Sequence, residues 1–272
     1  MTSELESWER KHYVAGGGDP MLFYVVYGEI DASAPLSRSR YRSNGAPDGI
    51  DVMSYGPNTH PDVPDTFRDG CLWDEFVAND PELAATVGRC EHCMILRGTP
   101  TDSTTLDYLR DTVGLITYLI DYGGCVVYDP FMFRWWQPSE WKKHVFEPAA
   151  AVPRHHTVIL VSEENDPSLK WFHTRGMRKF GRPDISVHNV ATELEDGVID
   201  LCNRLIEHQA FGHVVHDGQQ IEMASLPSGG VIRHGGDLDD PDFNNVHLDV
   251  SWPDAAEPCG EREPPETRVL RS

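Results

Sequence analysis

Fourteen residues, from Trp171 to Asp184, gather four cations, one histidine and two glycines. A guanidinium presents a planar fork of donors matched to carboxylate or phosphate, and glycine lets backbone N–H groups come close to an anion. His173, Arg175, Arg178, Lys179 and Arg182 are therefore candidate ligand-binding residues, for an anionic small molecule or an acidic partner. The same cations have another use open to them. The chain carries 44 carboxylates, and Arg or Lys can simply pair with acidic neighbours while Gly176 and Gly181 shape the turn.

A second supply of chemistry lies toward the C-terminus. His213 and His216 stand three apart, and His234, Asp237 and His247 sit in a segment rich in Asp and Asn. Imidazole and carboxylate together are what a divalent zinc, manganese or iron site uses. The pattern lacks the spaced signatures of known metal sites, and the Asp run lacks the calcium-loop spacing and its terminal Glu. On a strand, His213 and His216 would also point to opposite faces. The alternative for the Asp and Asn run is a solvated, turn-rich loop. Cys90-Glu-His-Cys93 can be half of a zinc site or a redox pair. It has no second C-x-x-C beside it, with Cys71 and Cys125 at no diagnostic spacing, so structural thiols are the simpler reading. Phe131, Phe133, Trp135, Trp136 and Trp141 suit either a pocket or a core. Trp135 and Trp136 cannot both face one core if the segment is extended. No Ser-His-Asp elbow, Walker loop or dinucleotide fingerprint is present.

Composition bounds what these groups can serve. The chain has 272 residues, 39% of them hydrophobic, with a net charge of -21. That is enough apolar material for a sizeable core, and enough negative charge to repel nucleic acid and anionic membranes. No apolar run reaches the length of a membrane span. The first residues lack the cationic and apolar regions of a secretory leader, so a cytoplasmic location is expected. In a reducing compartment the six cysteines are expected to be mostly free thiols.

The elements that must position these residues can be read from periodicity. Met21–Tyr27 is a continuous apolar run and predicts a buried strand. Residues 31–70 show almost no periodic apolar pattern and predict a long loop. Trp73 to Leu83 predicts a short helix interrupted at Asp80-Pro81. A β-α-β unit follows, with a strand at Cys90–Arg97 and a helix from Thr104 to Tyr122. Asp102 or Ser103 would cap that helix and Gly123-Gly124 close it, before a strand at Cys125–Tyr128. Ser139 to Phe146 predicts another short helix. Strands at 156–161, 169–174 and 185–190 follow, the last two flanking the basic segment as a hairpin. Thr192–His208 has helical spacing, and Asp217-Gly218 predicts a hairpin between 212–216 and 220–223. Val246–Trp252 alternates as a last strand, and 253–272 has the composition of a disordered tail. The sum is an α+β fold: one mixed, mostly antiparallel sheet with helices on one face, in a single domain over 1–252.

Three segments carry a family resemblance: Val126-Val-Tyr-Asp129, Gln137-Pro-Ser-Glu-Trp141, and His173-Thr-Arg-Gly-Met-Arg-Lys-Phe-Gly-Arg-Pro-Asp-Ile-Ser-Val187. Through them the chain resembles an uncharacterised bacterial family, the domain of unknown function numbered 4261, over roughly residues 95–215. In that family a strand ending near a Tyr precedes a short helix, and a Thr-x-Gly-hydrophobic and Phe-Gly follow before an acidic residue in a strand. The cation run between Gly176 and Pro183 departs from the pattern. The resemblance implies an α+β fold and no particular catalytic residue.

Two functions follow as expectations. The first is a non-enzymatic binding or interaction protein that uses the basic hairpin at 173–184. The second is a metal-dependent hydrolase, which would draw on His213, His216, His234, Asp237 and His247 with a divalent cofactor.

Overall fold

A computed structural model describes residues 5–253 and the backbone of 267–269. The α+β class and the mostly antiparallel pairing hold, but the sheet expected as one is two. The chain divides into two compact units. One contains residues up to Glu9 with Asp19–Val152, and the other Arg10–Gly18 with the chain from Pro153 onward.

The first unit runs β1 Leu22–Tyr27, α1 Arg38–Tyr41, β2 Ile50–Tyr55, α2 Cys71–Asn79, α3 Pro81–Gly88 and β3 Cys93–Gly98. It continues with α4 Asp107–Asp121, β4 Val126–Asp129, β5 Arg134–Trp136 and α5 Pro138–Trp141. The strands form an antiparallel sheet in the order β2-β3-β1-β4-β5. β1 takes its centre because both of its faces are apolar. Val25 and Tyr27 pack with Phe76, Leu83, Ala84 and Val87 of α2 and α3. On the other face Leu22, Tyr24 and Val26 are fully buried, Tyr24 edge-on to Trp141. Each such side chain contributes about 1.5–3 kcal/mol by leaving water.

The expected β-α-β unit is β3-α4-β4, with β1 lying between its two strands. Its helix starts at Asp107 rather than Thr104, and neither Asp102 nor Ser103 caps it. Glu9 bridges to Thr105, and Leu106 N donates to Trp8 O at 2.7 Å, so this backbone is extended to meet an earlier segment. Gly123 closes the helix as expected, at φ +120°, with Gly124 N donating to Leu119 O. The predicted loop at 31–70 contains a strand, β2. It is an edge strand in which only Ile50 is buried, which leaves no apolar alternation to read. Trp135 and Trp136 do point apart. Trp135 stacks on Tyr128 at 4.0 Å and Phe76 at 4.7 Å, while Trp136 lies edge-on to Trp141.

The second unit runs β6 Val158–Glu163, β7 Leu169–Arg175, β8 Asp184–Ala191, α6 Glu195–Ala210, β9 Gln220–Ile221, β10 Gly230–Gly235, β11 His247–Ser251 and β12 Thr267–Val269. Its sheet has the order β12-β6-β7-β8-β11-β10-β9, with β8 and β11 parallel and the other pairs antiparallel. Phe172, Ile185, Val187, Leu248 and Val250 are buried on one face. α6 packs on β7 and β8 with Val198, Leu201, Cys202 and Ile206 turned inward. The pleat sends the alternate residues to the other face: Trp171, His173, Ser186, His188, His247 and Asp249.

Two expectations fail here. Residues 212–216 are not a strand, although Gly218 does turn at φ +77°. β9 pairs with β10, a strand the sequence reading left unassigned, and Gly218 N donates to Ile232 O at 2.8 Å. Within the predicted tail, 267–269 pairs with β6, while 254–266 and 270–272 lie outside the described residues. Among the described residues no helix is long and apolar enough to cross a membrane.

The C-cap of α4 offers a test of the first unit. A Cβ on Gly123 would lie 2.1 Å from Glu29 O, on a backbone at positive φ. Gly123→Ala is expected to cost about 1–3 kcal/mol in urea unfolding. An unchanged midpoint would show that the turn relaxes freely.

Candidate functional site

The basic segment forms the tip of the β7–β8 hairpin. Gly176 at φ +108° and Gly181 at φ +63° bracket a 3₁₀ turn, Met177–Phe180. A Cβ on Gly176 would lie 2.5 Å from His156 O, so the tip is pressed against the chain that precedes β6. The cations are turned inward. Lys179 and Asp184 are fully buried, and Arg175 and Arg182 are each 2% exposed.

Backbone carbonyls of neighbouring loops take up these donors. Lys179 Nζ donates to His156 O at 2.8 Å. Arg182 reaches Gly212 O at 3.1 Å, His213 O at 3.2 Å and its neighbour Gly181 O at 2.8 Å. Arg175 donates to Asp242 O, and the half-buried Arg178 to Asn244 O at 2.6 Å. Arg10 joins them through Ala210 O and Phe180 O. Carbonyls outside a ladder need donors when buried, and each bond from a charged donor contributes about 1.5–3 kcal/mol. Asp184 is the carboxylate at the centre of this arrangement. It accepts from Thr174 Oγ1 at 2.9 Å, Met177 N at 3.2 Å and Asn245 Nδ2 at 2.8 Å. Burial pushes its pKa up to about 6, against the pull of those bonds and of Arg175. Of the expected ligand-binding residues, then, only Arg178 is appreciably open to solvent. The others hold loops.

His173 is buried on the polar face, where its ring stacks on Trp171 at 3.9 Å and meets the edge of Phe243 at 5.7 Å. Among the described residues its Nδ1 has no hydrogen-bond partner. Burial, then the charges of Arg175 and His188, push its pKa down to about 3, so the ring is neutral at physiological pH. Trp171 also stacks on His188 at 4.8 Å and donates Nε1 to Ser186 Oγ at 3.0 Å. His188 Nδ1 meets Glu164 Oε1 at 2.7 Å. The sequence reading missed this stack. Its signal was the spacing by two of Asp184, Ser186 and His188 opposite Trp171 and His173.

The five expected metal ligands occupy separate surroundings. His247 stacks on Phe243 at 4.3 Å, with Nε2 3.3 Å from Asp249 and Nδ1 3.8 Å from Asp240. Burial lowers its pKa, but Asp249, Asp240 and Asp184 outweigh that and hold it above the ordinary histidine value. His234 pairs in register with Leu248, whereas His247 pairs with Gly235. The two imidazoles therefore lie on opposite faces of the sheet. His234 Nε2 contacts Val215 O, Asp237 caps the turn at Asp239 N, and His216 is exposed beside Gln219. Among the described residues no group of three or more His, Cys, Asp or Glu is placed to hold a metal ion.

His213 belongs to a different group. Its ring lies edge-on to His208 at 6.1 Å, and His208 stacks on His12 at 4.9 Å. Burial, then the charges of His208, His12, His216 and Arg182, hold its pKa below the ordinary value. His208 and His213 line an open groove of about 260 Å³ between the C-terminal half of α6 and the β9–β10 edge. Leu201, Leu205, Ile221, Met223 and Ile232 supply its apolar lining, and Arg204, Gln219, Gln220 and Glu222 its polar groups. Sequence reading singled out His213 alone among these. Arg204 and His208 are four apart on α6, and that shared helix face was the signal available.

The titrating groups give a signed prediction. An unfolded His173 binds a proton near pH 6.5 while the folded one refuses it down to about pH 3. In that window it destabilises the fold by about 1.4 kcal/mol per pH unit as pH falls. Asp184 acts oppositely between about pH 6 and 3.8, where the folded chain holds the extra proton. His173→Gln should therefore be destabilised at pH 7.5, and its deficit relative to wild type should shrink as pH falls from 6.5 to 5. Urea unfolding at several pH values measures this, and a deficit independent of pH would contradict it.

No family model, curated protein or solved structure matches the chain.

Proposed function

We propose that this chain is a binding protein that takes a small anionic molecule in the groove beside α6, and that the basic hairpin serves this site from below. The observation that carries the reading is the position of His213. Its carbonyl is held by the buried Arg182, and its ring lines the groove with His208. Arg182 cannot reach out to a ligand, since its donors are engaged with Gly181, Gly212 and His213. It contributes a fixed positive field instead, in a setting less polarisable than water.

The basic groups that line the groove are His208, His213 and Arg204, and Glu222 is the one carboxylate in its lining. Arg204 pairs with Asp200 at 3.0 Å with both side chains exposed, a pair worth well under about 1 kcal/mol and easily exchanged. The apolar lining suits a short hydrocarbon body. A volume of about 260 Å³ falls just below the usual range for ligand sites, which favours a small carboxylate or phosphate monoester over a nucleotide. The net charge of -21 favours a small anion over an acidic protein, which would be repelled over its whole surface.

Protonation should tighten such binding, because an anion stabilises imidazolium and so couples to the depressed pKa of His213. Calorimetric titration with a panel of short carboxylates and phosphate monoesters is expected to give 1:1 binding, several-fold tighter at pH 6 than at pH 8. Arg204→Glu should weaken it at least tenfold while leaving Tm within a degree or two. Absence of binding at millimolar ligand, or binding indifferent to both pH and Arg204→Glu, would overturn the proposal.

A further inference from the structure

The first unit holds a pair of thiols that the groove does not involve. Cys90 Sγ and Cys125 Sγ lie 3.2 Å apart, and both residues are partly exposed. Sequence spacing drew attention to Cys90 with Cys93. In the structure Cys93 is buried on β3, where burial pushes its thiol up to about 11. The partner of Cys90 comes from 35 residues further on, at the start of β4.

Both sulfurs are held by their surroundings. Cys125 N continues the β1–β4 ladder by donating to Tyr27 O at 2.8 Å, and its Sγ lies 3.3 Å from the same oxygen. Cys90 follows α3, with its Sγ 3.3 Å from Thr86 O and its N donating to Val87 O. Arg68 donates Nη2 to Cys90 O at 2.5 Å, which brings a guanidinium beside the thiol. Tyr27 pairs with Cys93 on one side and with Val126 on the other. A bond between Cys90 and Cys125 would therefore join β3 to β4 across the end of β1. Closing from 3.2 Å to a disulfide of about 2.05 Å needs a side-chain movement of only about 1 Å.

We propose that Cys90 and Cys125 form a reversible dithiol–disulfide site that reacts with small disulfides, Cys90 being the attacking thiolate and Cys125 the resolving thiol. In the first step the Cys90 thiolate bonds to one sulfur of the small disulfide RSSR. That S–S bond breaks, and RS⁻ leaves to take a proton from water. In the second step Cys125 gives up its proton and bonds to Cys90 Sγ, displacing the second RS⁻. The protein pair is oxidised by two electrons, and one small disulfide is reduced to two thiols. The roles follow from the local charges. The hydrogen bond from Cys125, then the cations Arg68 and Arg89, bring the Cys90 thiol down to about 7, while the bond to Cys90 and burial push Cys125 up. A thiolate populated near neutrality is the reactive form.

The experiment uses the full chain carrying Cys71→Ser, because Cys71 is exposed and would cross-link molecules. The protein is equilibrated in glutathione buffers of graded ratio, quenched with acid, alkylated and mapped by mass spectrometry. The expected product is one Cys90–Cys125 linked peptide with a mass loss of two hydrogens, reversed by dithiothreitol. Cys125→Ser should instead trap a glutathione mixed disulfide on Cys90. Since that variant could misfold, Cys90 alkylation is also timed against pH in the chain with both thiols, with a half-maximal rate expected near pH 7. Cys90 and Cys125 staying reduced in the most oxidising buffer, a link through Cys93, or half-maximal alkylation above pH 8.5 would each overturn the proposal.

Discussion

The second unit depends on burying cations against backbone carbonyls. Lys179, Arg175 and Arg182 occupy the interior, where a charge without partners would cost several kcal/mol. Each donates to a carbonyl of a loop that has no ladder of its own: His156 before β6, Gly212 and His213 after α6, and Asp242 before β11. Three separated loops are thereby tied to one hairpin tip. Asp184 balances the charge from within, bonding both to the tip at Met177 N and to Asn245 before β11. Leaving any of these loops free would strand polar backbone groups away from water, so tip and loops are ordered together.

This arrangement explains why local elements were legible in the sequence and the site was not. β1 was readable as an unbroken apolar run, and α4, the β7–β8 hairpin and α6 because burial on one face imposes a period on them. Leu109, Val113 and Ile116 recur on one face of α4, and Gly123 marks its end. β2 was invisible because an edge strand with one buried residue has no period to show. The surroundings of the basic run were hidden for a different reason. In a chain with 44 carboxylates cations suggest surface pairs or ligands, whereas the partners here are carbonyl oxygens, which every residue carries and no composition reveals. Arg204 and His208 share a face of α6 and His213 follows at its end, its N donating to His208 O at 3.0 Å, whereas Cys90 and Cys125 converge through tertiary packing alone.

The two units thus pose different chemistry. In the second, the buried Arg182 holds the carbonyl of His213, a residue that lines the groove beside α6 with His208. In the first, two strands that flank β1 bring their thiols to within 3.2 Å at one end of the sheet. In both places a hydrogen bond to a backbone carbonyl distant in sequence fixes the local geometry, Arg182 on His213 O and Cys125 Sγ beside Tyr27 O. That fixation is what gives a site its geometry.

The most direct measurement is solvent access to the buried lysine. Amine acylation of the native chain, read residue by residue by mass spectrometry, compares Lys179 with the exposed Lys11 and Lys143. If the hairpin cations are internal ties, Lys179 stays unlabelled while Lys11 and Lys143 react fully, and it becomes reactive only when the chain is unfolded in urea. Labelling of Lys179 at the rate of Lys143 in the folded protein would contradict the account, and would return the basic segment to the surface.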